Sequence, residues 1–70
     1  MKRFYVHWDY IQKNVSEIGL GPSHVIDAPD EACAIMVYSA RAVRHFTENQ
    51  IVHVRFIGAP TIEEIQRMAA

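Results

Sequence analysis

Residue types that staple, bend or break a chain are scarce here: one cysteine, three glycines and three prolines in 70 residues. Cys33 cannot close an internal disulfide. Small secreted domains are usually held by several, so a reducing, cytoplasmic setting is expected. Long apolar runs are missing too. No segment approaches the roughly 20 apolar residues that span a bilayer, so no membrane partner is expected. The apolar stretch behind Lys2 and Arg3 breaks at His7 and Asp9, too soon for a signal peptide. Nor does charge of one sign accumulate. Seven Lys and Arg against eight Asp and Glu leave −1, which gives no long-range pull on nucleic acid or an anionic surface. That near-neutrality also offers little protection against self-association. The four histidines include no His-x-His or His-x-x-x-His pair, so no metal or other cofactor is expected.

Half the residues are apolar and 21% are charged, which is the composition of a globular domain. We read residues 1–70 as one domain near the lower size limit. At this length about 60% of the unfolded chain's surface is buried, so stability is marginal or comes from a partner.

Along Lys2 to Asp9 the residues alternate, Phe4, Val6 and Trp8 against Arg3, Tyr5, His7 and Asp9, which predicts a half-buried strand. Segment 10–18 has two readings. Ile11, Val15 and Ile18 sit at helical spacing behind an Asp9/Gln12 capping box, whereas Gly19, Gly21 and Pro22 suit an irregular hairpin connection. Residues 23–27 read as a short second strand. A long helix over about 28–47 follows, with Asp27 as N-cap, Pro29 in the first turn, and Asp30 and Glu31 at the positive end of the dipole. Its predicted inward face is Ala32, Ile35, Met36, Ser39, Ala40, Val43 and Phe46. Residues 51–57 read as a third strand. Thr61 and Glu64 form a capping box for a short C-terminal helix over about 61–69.

The expected fold is therefore α+β: a three-stranded, mostly antiparallel sheet (about 2–9, 23–27 and 51–57) with the long helix on one face. The predicted core is Phe4, Val6, Trp8, Val25, Met36, Ala40, Val43, Phe46, Val52, Val54, Phe56 and Ile65.

Three surfaces are candidates for function. The predicted outer helix face carries Ala34, Val37, Tyr38, Arg41 and His45, and tyrosine with arginine commonly anchors protein interfaces. Arg3, Tyr5, His7, His53 and Arg55 would lie together on an open sheet face, the pattern of a single-stranded nucleic-acid platform. His7 and His53, with Asp9 near, would make an acid–base pair if their strands were neighbours. Cys33 reads as a small buried hydrophobe whose pKa the helix start would lower somewhat. Gly19-Leu20-Gly21-Pro22-Ser23 reads as a turn, because no helix N-terminus follows to cradle a phosphate.

The order strand, connection, strand, long helix, strand, with the helix opened by Asp27-Ala28-Pro29-Asp30-Glu31-Ala32, resembles small phage and mobile-element proteins of the anti-CRISPR kind. The resemblance implies a non-catalytic protein that binds a larger assembly. With no catalytic constellation and an apolar helix face that carries Tyr38 and Arg41, the leading expectation is a non-enzymatic protein-binding module, an inhibitor or adaptor. Its expected partner is a larger protein or, in a homodimer, a second copy of the chain. Single-stranded nucleic-acid binding is the alternative, and a small enzyme using His7 and His53 the third.

Overall fold

In the computed structural model, which describes residues 1–13, 15 and 17–65, one helix lies against two three-stranded antiparallel sheets. The fold class is α+β. The strands are Lys2–His7 (β1), Tyr10–Gln12 (β2), Ile18–Gly19 (β3), Ser23–Ala28 (β4), Val54–Phe56 (β5) and Thr61–Glu64 (β6); the helix, Glu31–Glu48 (α1), separates β4 from β5. The first sheet runs β4-β1-β6 and the second β3-β2-β5.

Alternation in β1 sets the first sheet. Phe4 and Val6 are buried, and Phe4 faces Ile26 across β4 and Glu64 across β6. Ile26 and Ala28 are the buried residues of β4, while Val25, expected inside, is 53% exposed. A one-residue step in a strand reverses every side chain, and Asp27 on the outer face already pairs with Arg3 there.

Of the two readings the hairpin is found: Tyr10–Gln12 pairs antiparallel with Ile18–Gly19, Ile11 opposite Ile18. The third strand is shorter than expected and joins the other sheet, pairing with β2. Its length is cut by the backbone: Gln50 and His53 have φ of 57° and 54°, a left-handed conformation that interrupts extension. Val52 consequently stands 57% exposed.

The expected C-terminal helix is not formed over its first turn. Thr61–Glu64 is strand β6, with Ile62 opposite Val6; residues 66–70 of that expected helix lie outside the described residues. The free edge of β1 offers a row of backbone partners, and pairing it outweighs a local capping signal. Ile65, expected in the core, is 40% exposed.

The helix begins at Glu31, later than expected. Pro29 keeps Ala28 extended, so Ala28 remains in β4 and Asp30 becomes the N-cap, accepting from the Cys33 N–H at 2.8 Å. Its inward face also differs from expectation. Ala34, Tyr38, Ala42 and Phe46 are buried, an i, i+4 stripe, whereas Met36 is 72% and Val43 61% exposed, and Ala32 and Ala40 are exposed. Of the expected inward set only Phe46 is buried, with Ile35 and Ser39 half-buried.

Tyr38 explains this rotation. Its hydroxyl donates to the Pro22 carbonyl at 2.7 Å and accepts from the Trp8 N–H at 3.1 Å, tying the helix to the end of β1 and the approach to β4. Ala34 and Ala42 on either side let the helix come close. Phe46 meets Tyr10 and Phe56 at centroid separations of 4.8 and 5.9 Å, so the same stripe covers the second sheet. Trp8 bridges the sheets, stacking on Phe56 at 4.7 Å and donating from its indole to the Ile57 and Gly58 carbonyls. Trp8, Val54 and Phe56, expected in the core, are partly buried against it.

Candidate functional site

Three places carry the candidate residues. The first is the outward face of α1. Ala32, Met36, Ala40, Val43 and Thr47 follow one another at helical spacing, all exposed and all uncharged. Arg41, Arg44 and Glu48 stand to one side of this stripe, and Arg44 is paired with Glu48 at 3.1 Å. Its C-terminal end opens into an apolar groove of about 230 Å³ lined by Val43, Phe46, Thr47, Ile51, Val54 and Phe56. Four bulky side chains are fully buried (Phe4, Val6, Ile26 and Tyr38), with Phe46 nearly so, and ten large hydrophobics stay exposed among the described residues. Folding of the single chain therefore leaves much apolar surface in water.

The interface set expected from the sequence is divided by this packing. Ala34 and Tyr38 are fully buried in the core and cannot meet a partner. Val37 is 37% exposed, and Arg41 is exposed, donating to the Val25 carbonyl at 3.4 Å. His45 is half-buried, edge-on to Phe46, with its carbonyl capped by Asn49. The outward stripe is the apolar face that sequence periodicity places in the interior.

The second place is the outer face of the first sheet. Register sets Arg3 opposite Asp27 and His7 opposite Ser23. Arg3 binds Asp27 at 2.9 Å, which holds that carboxyl below the usual range, the hydrogen bond being the larger cause. His7 Nε2 lies 2.8 Å from Asp9 Oδ1, His7 Nδ1 lies 3.2 Å from Ser23 Oγ, and Ser23 Oγ lies 3.1 Å from the Tyr5 hydroxyl. This chain fixes the ring orientation of His7 and occupies both its nitrogens.

The nucleic-acid set does not form one face. Arg3, Tyr5 and His7 are on β1, whereas His53 and Arg55 belong to the β2–β5 side of the molecule. Their strands are not neighbours, so pairing does not bring His7 and His53 together as an acid–base couple.

The third place was not anticipated as a unit. On the outer side of the second sheet, Ile11, Gln12, Lys13, Val15, His53 and Arg55 line a groove of about 350 Å³. Arg55 sits opposite Ile11 in the ladder, and the Lys13 N–H donates to the His53 carbonyl at 3.0 Å. Lys13 lay in the segment with two readings, which hid its proximity to Arg55.

Two further groups are perturbed. His24 is held below its ordinary pKa, first by burial and then by the positive charges of Arg41 and His45, and its Nε2 is buried with no partner among the described residues. The Cys33 thiol is raised, not lowered as the helix start suggested, because it faces the Asp30 carboxylate. No group of three or more His, Cys, Asp or Glu among the described residues is placed to hold a metal ion. No helix among them is long and apolar enough to cross a membrane. No protein-family model matches the chain, and no curated protein or solved structure matches it.

Proposed function

We propose that this protein is a non-enzymatic protein-binding module, an inhibitor of or adaptor to a larger protein, that docks through the outward face of α1. The observation that supports the reading is the uncharged stripe Met36, Ala40 and Val43, exposed on α1 and running into the groove beside Phe46 and Phe56. Such a stripe favours another apolar surface, and the small side chains at Ala32 and Ala40 permit close backbone approach. Fully burying Met36 and Val43 in a contact would contribute about 1.5–3 kcal/mol each. The near-zero net charge adds no repulsion between copies, so a homodimer through the same face is one form this docking takes. A reducing, cytoplasmic location fits the single unpaired Cys33.

The test places a photo-crosslinking amino acid at position 36 or 43, with position 63 on the opposite side of the fold as control. Crosslinks to protein from 36 and 43 but not from 63 are expected in cells. A product at twice the 8.0 kDa chain mass identifies a second copy, and a heavier one identifies another protein. Equal crosslinking from 63, or none from the helix while the chain stays folded, contradicts the reading.

A further inference from the structure

The groove on the outer side of the second sheet gathers positive charge without a counter-charge. Lys13, Arg55 and His53 line it, and no Asp or Glu does. The ion pairs among the described residues are Arg3–Asp27, His7–Asp9 and Arg44–Glu48, so neither Lys13 nor Arg55 is in one. Residues 14, 16 and 66–70 contain no acidic side chain to supply a partner. Asp9 and Glu17, the acidic residues nearest to Lys13 along the chain, pair with neither cation; Asp9 is held by His7. In a chain whose net charge is −1, two cations on one groove without a counter-charge favour an anion there.

A second observation lies in the backbone. His53, on the groove wall, has φ 54°, and its carbonyl is held by the Lys13 N–H. A left-handed non-glycine residue costs about 1–2 kcal/mol, and such strain concentrates where a side chain must be aimed. Ile11 and Val15 supply an apolar floor beside the charges. Two apolar residues beside four polar or charged ones, at a volume near 350 Å³, give a groove of small-molecule size with a charged wall.

We propose that this groove binds a small phosphate monoester, its phosphate between Lys13 and Arg55 with His53 alongside, and its apolar portion against Ile11 and Val15. The guanidinium offers a two-pronged donor to the phosphate oxygens and the ammonium a point charge. The site is independent of the α1 face, so either proposal stands without the other.

The test is an amide-shift NMR titration of the full chain with adenosine monophosphate, with inorganic phosphate, and with adenosine alone, at matched ionic strength. Saturable shifts confined to residues 11–15 and 53–55 are expected with both phosphate probes and not with adenosine. Arg55→Gln and Lys13→Gln should each weaken binding about tenfold, and Arg44→Gln should leave it unchanged. The variants' thermal melts establish that each remains folded. Failure to saturate with either phosphate probe, shifts spread equally to Arg3 and Arg44, or unaltered binding in Arg55→Gln would overturn the assignment. So would binding of a single-stranded oligonucleotide without any response to the monoester.

Discussion

Removing one oxygen atom, in Tyr38→Phe, should cost this domain more than most side-chain truncations. The ring stays in place, since it is fully buried between Ala34, Ala42 and the first sheet. What is lost is the hydroxyl, which donates to the Pro22 carbonyl at 2.7 Å and accepts from the Trp8 N–H at 3.1 Å. Both backbone groups would be left without that partner beside a buried ring, at about 1–1.5 kcal/mol each. The sum, about 2–3 kcal/mol, is a large share of the few kcal/mol available to so small a core. For a domain of this size 1 kcal/mol shifts the melting midpoint by about 4–8 °C, so a fall of about 10–20 °C is expected. Near-UV circular dichroism reports it, because Trp8 is at the node. Alkali gives an independent check. Burial raises the Tyr38 pKa, so the unfolded chain ionises first and stability falls as pH rises past the ordinary value of 10. That loss should be smaller in Tyr38→Phe. A melt within about 3 °C of wild type would refute the node.

Gly21→Ala should be disruptive for a related reason. A Cβ there would lie 1.6 Å from the Trp8 carbonyl oxygen and 3.2 Å from the Tyr38 hydroxyl, so the backbone must move; about 3 kcal/mol or more of destabilisation is expected in urea melts. His24 should make the fold acid-sensitive. Its folded pKa lies below the ordinary 6.5, so the unfolded chain takes up the proton first, and stability present above about pH 6.5 is lost as pH falls through it. Urea midpoints between pH 8 and pH 5 should therefore fall less in His24→Phe than in wild type; parallel curves would contradict the burial of that ring.

Strand β1 was legible because it is half-buried and its alternation is strict. The helix was legible in extent, since Asp30, Glu31 and the long periodic run mark it within a few residues. Its orientation was not. Ala32, Ile35, Met36, Ala40 and Val43 make a richer apolar stripe than Ala34, Tyr38 and Ala42, and periodicity favours the richer one. The choice depended on where the Tyr38 hydroxyl and the Phe46 ring found partners, which are non-local facts. Thr61–Glu64 failed similarly: its capping box is a local signal, while the demand of the β1 edge comes from some 55 residues earlier in the chain. The cationic groove was hidden because Lys13 and Arg55 line one groove only once β2 pairs with β5. Of the residues expected at an interface, Ala34 and Tyr38 lie in the core because of that same helix orientation.

The central claim is that α1 turns Ala42 inward and Ala40 outward, and thermal unfolding of Ala40→Glu beside Ala42→Glu at low micromolar concentration tests it most directly. Ala42→Glu buries an unpaired carboxylate and should cost about 4 kcal/mol or more, abolishing a cooperative melt. Ala40→Glu places the same charge in water and should fold, melting within a few degrees of wild type. The reverse result, with Ala40→Glu unfolded and Ala42→Glu intact, would return the richer stripe to the core and remove the proposed docking face.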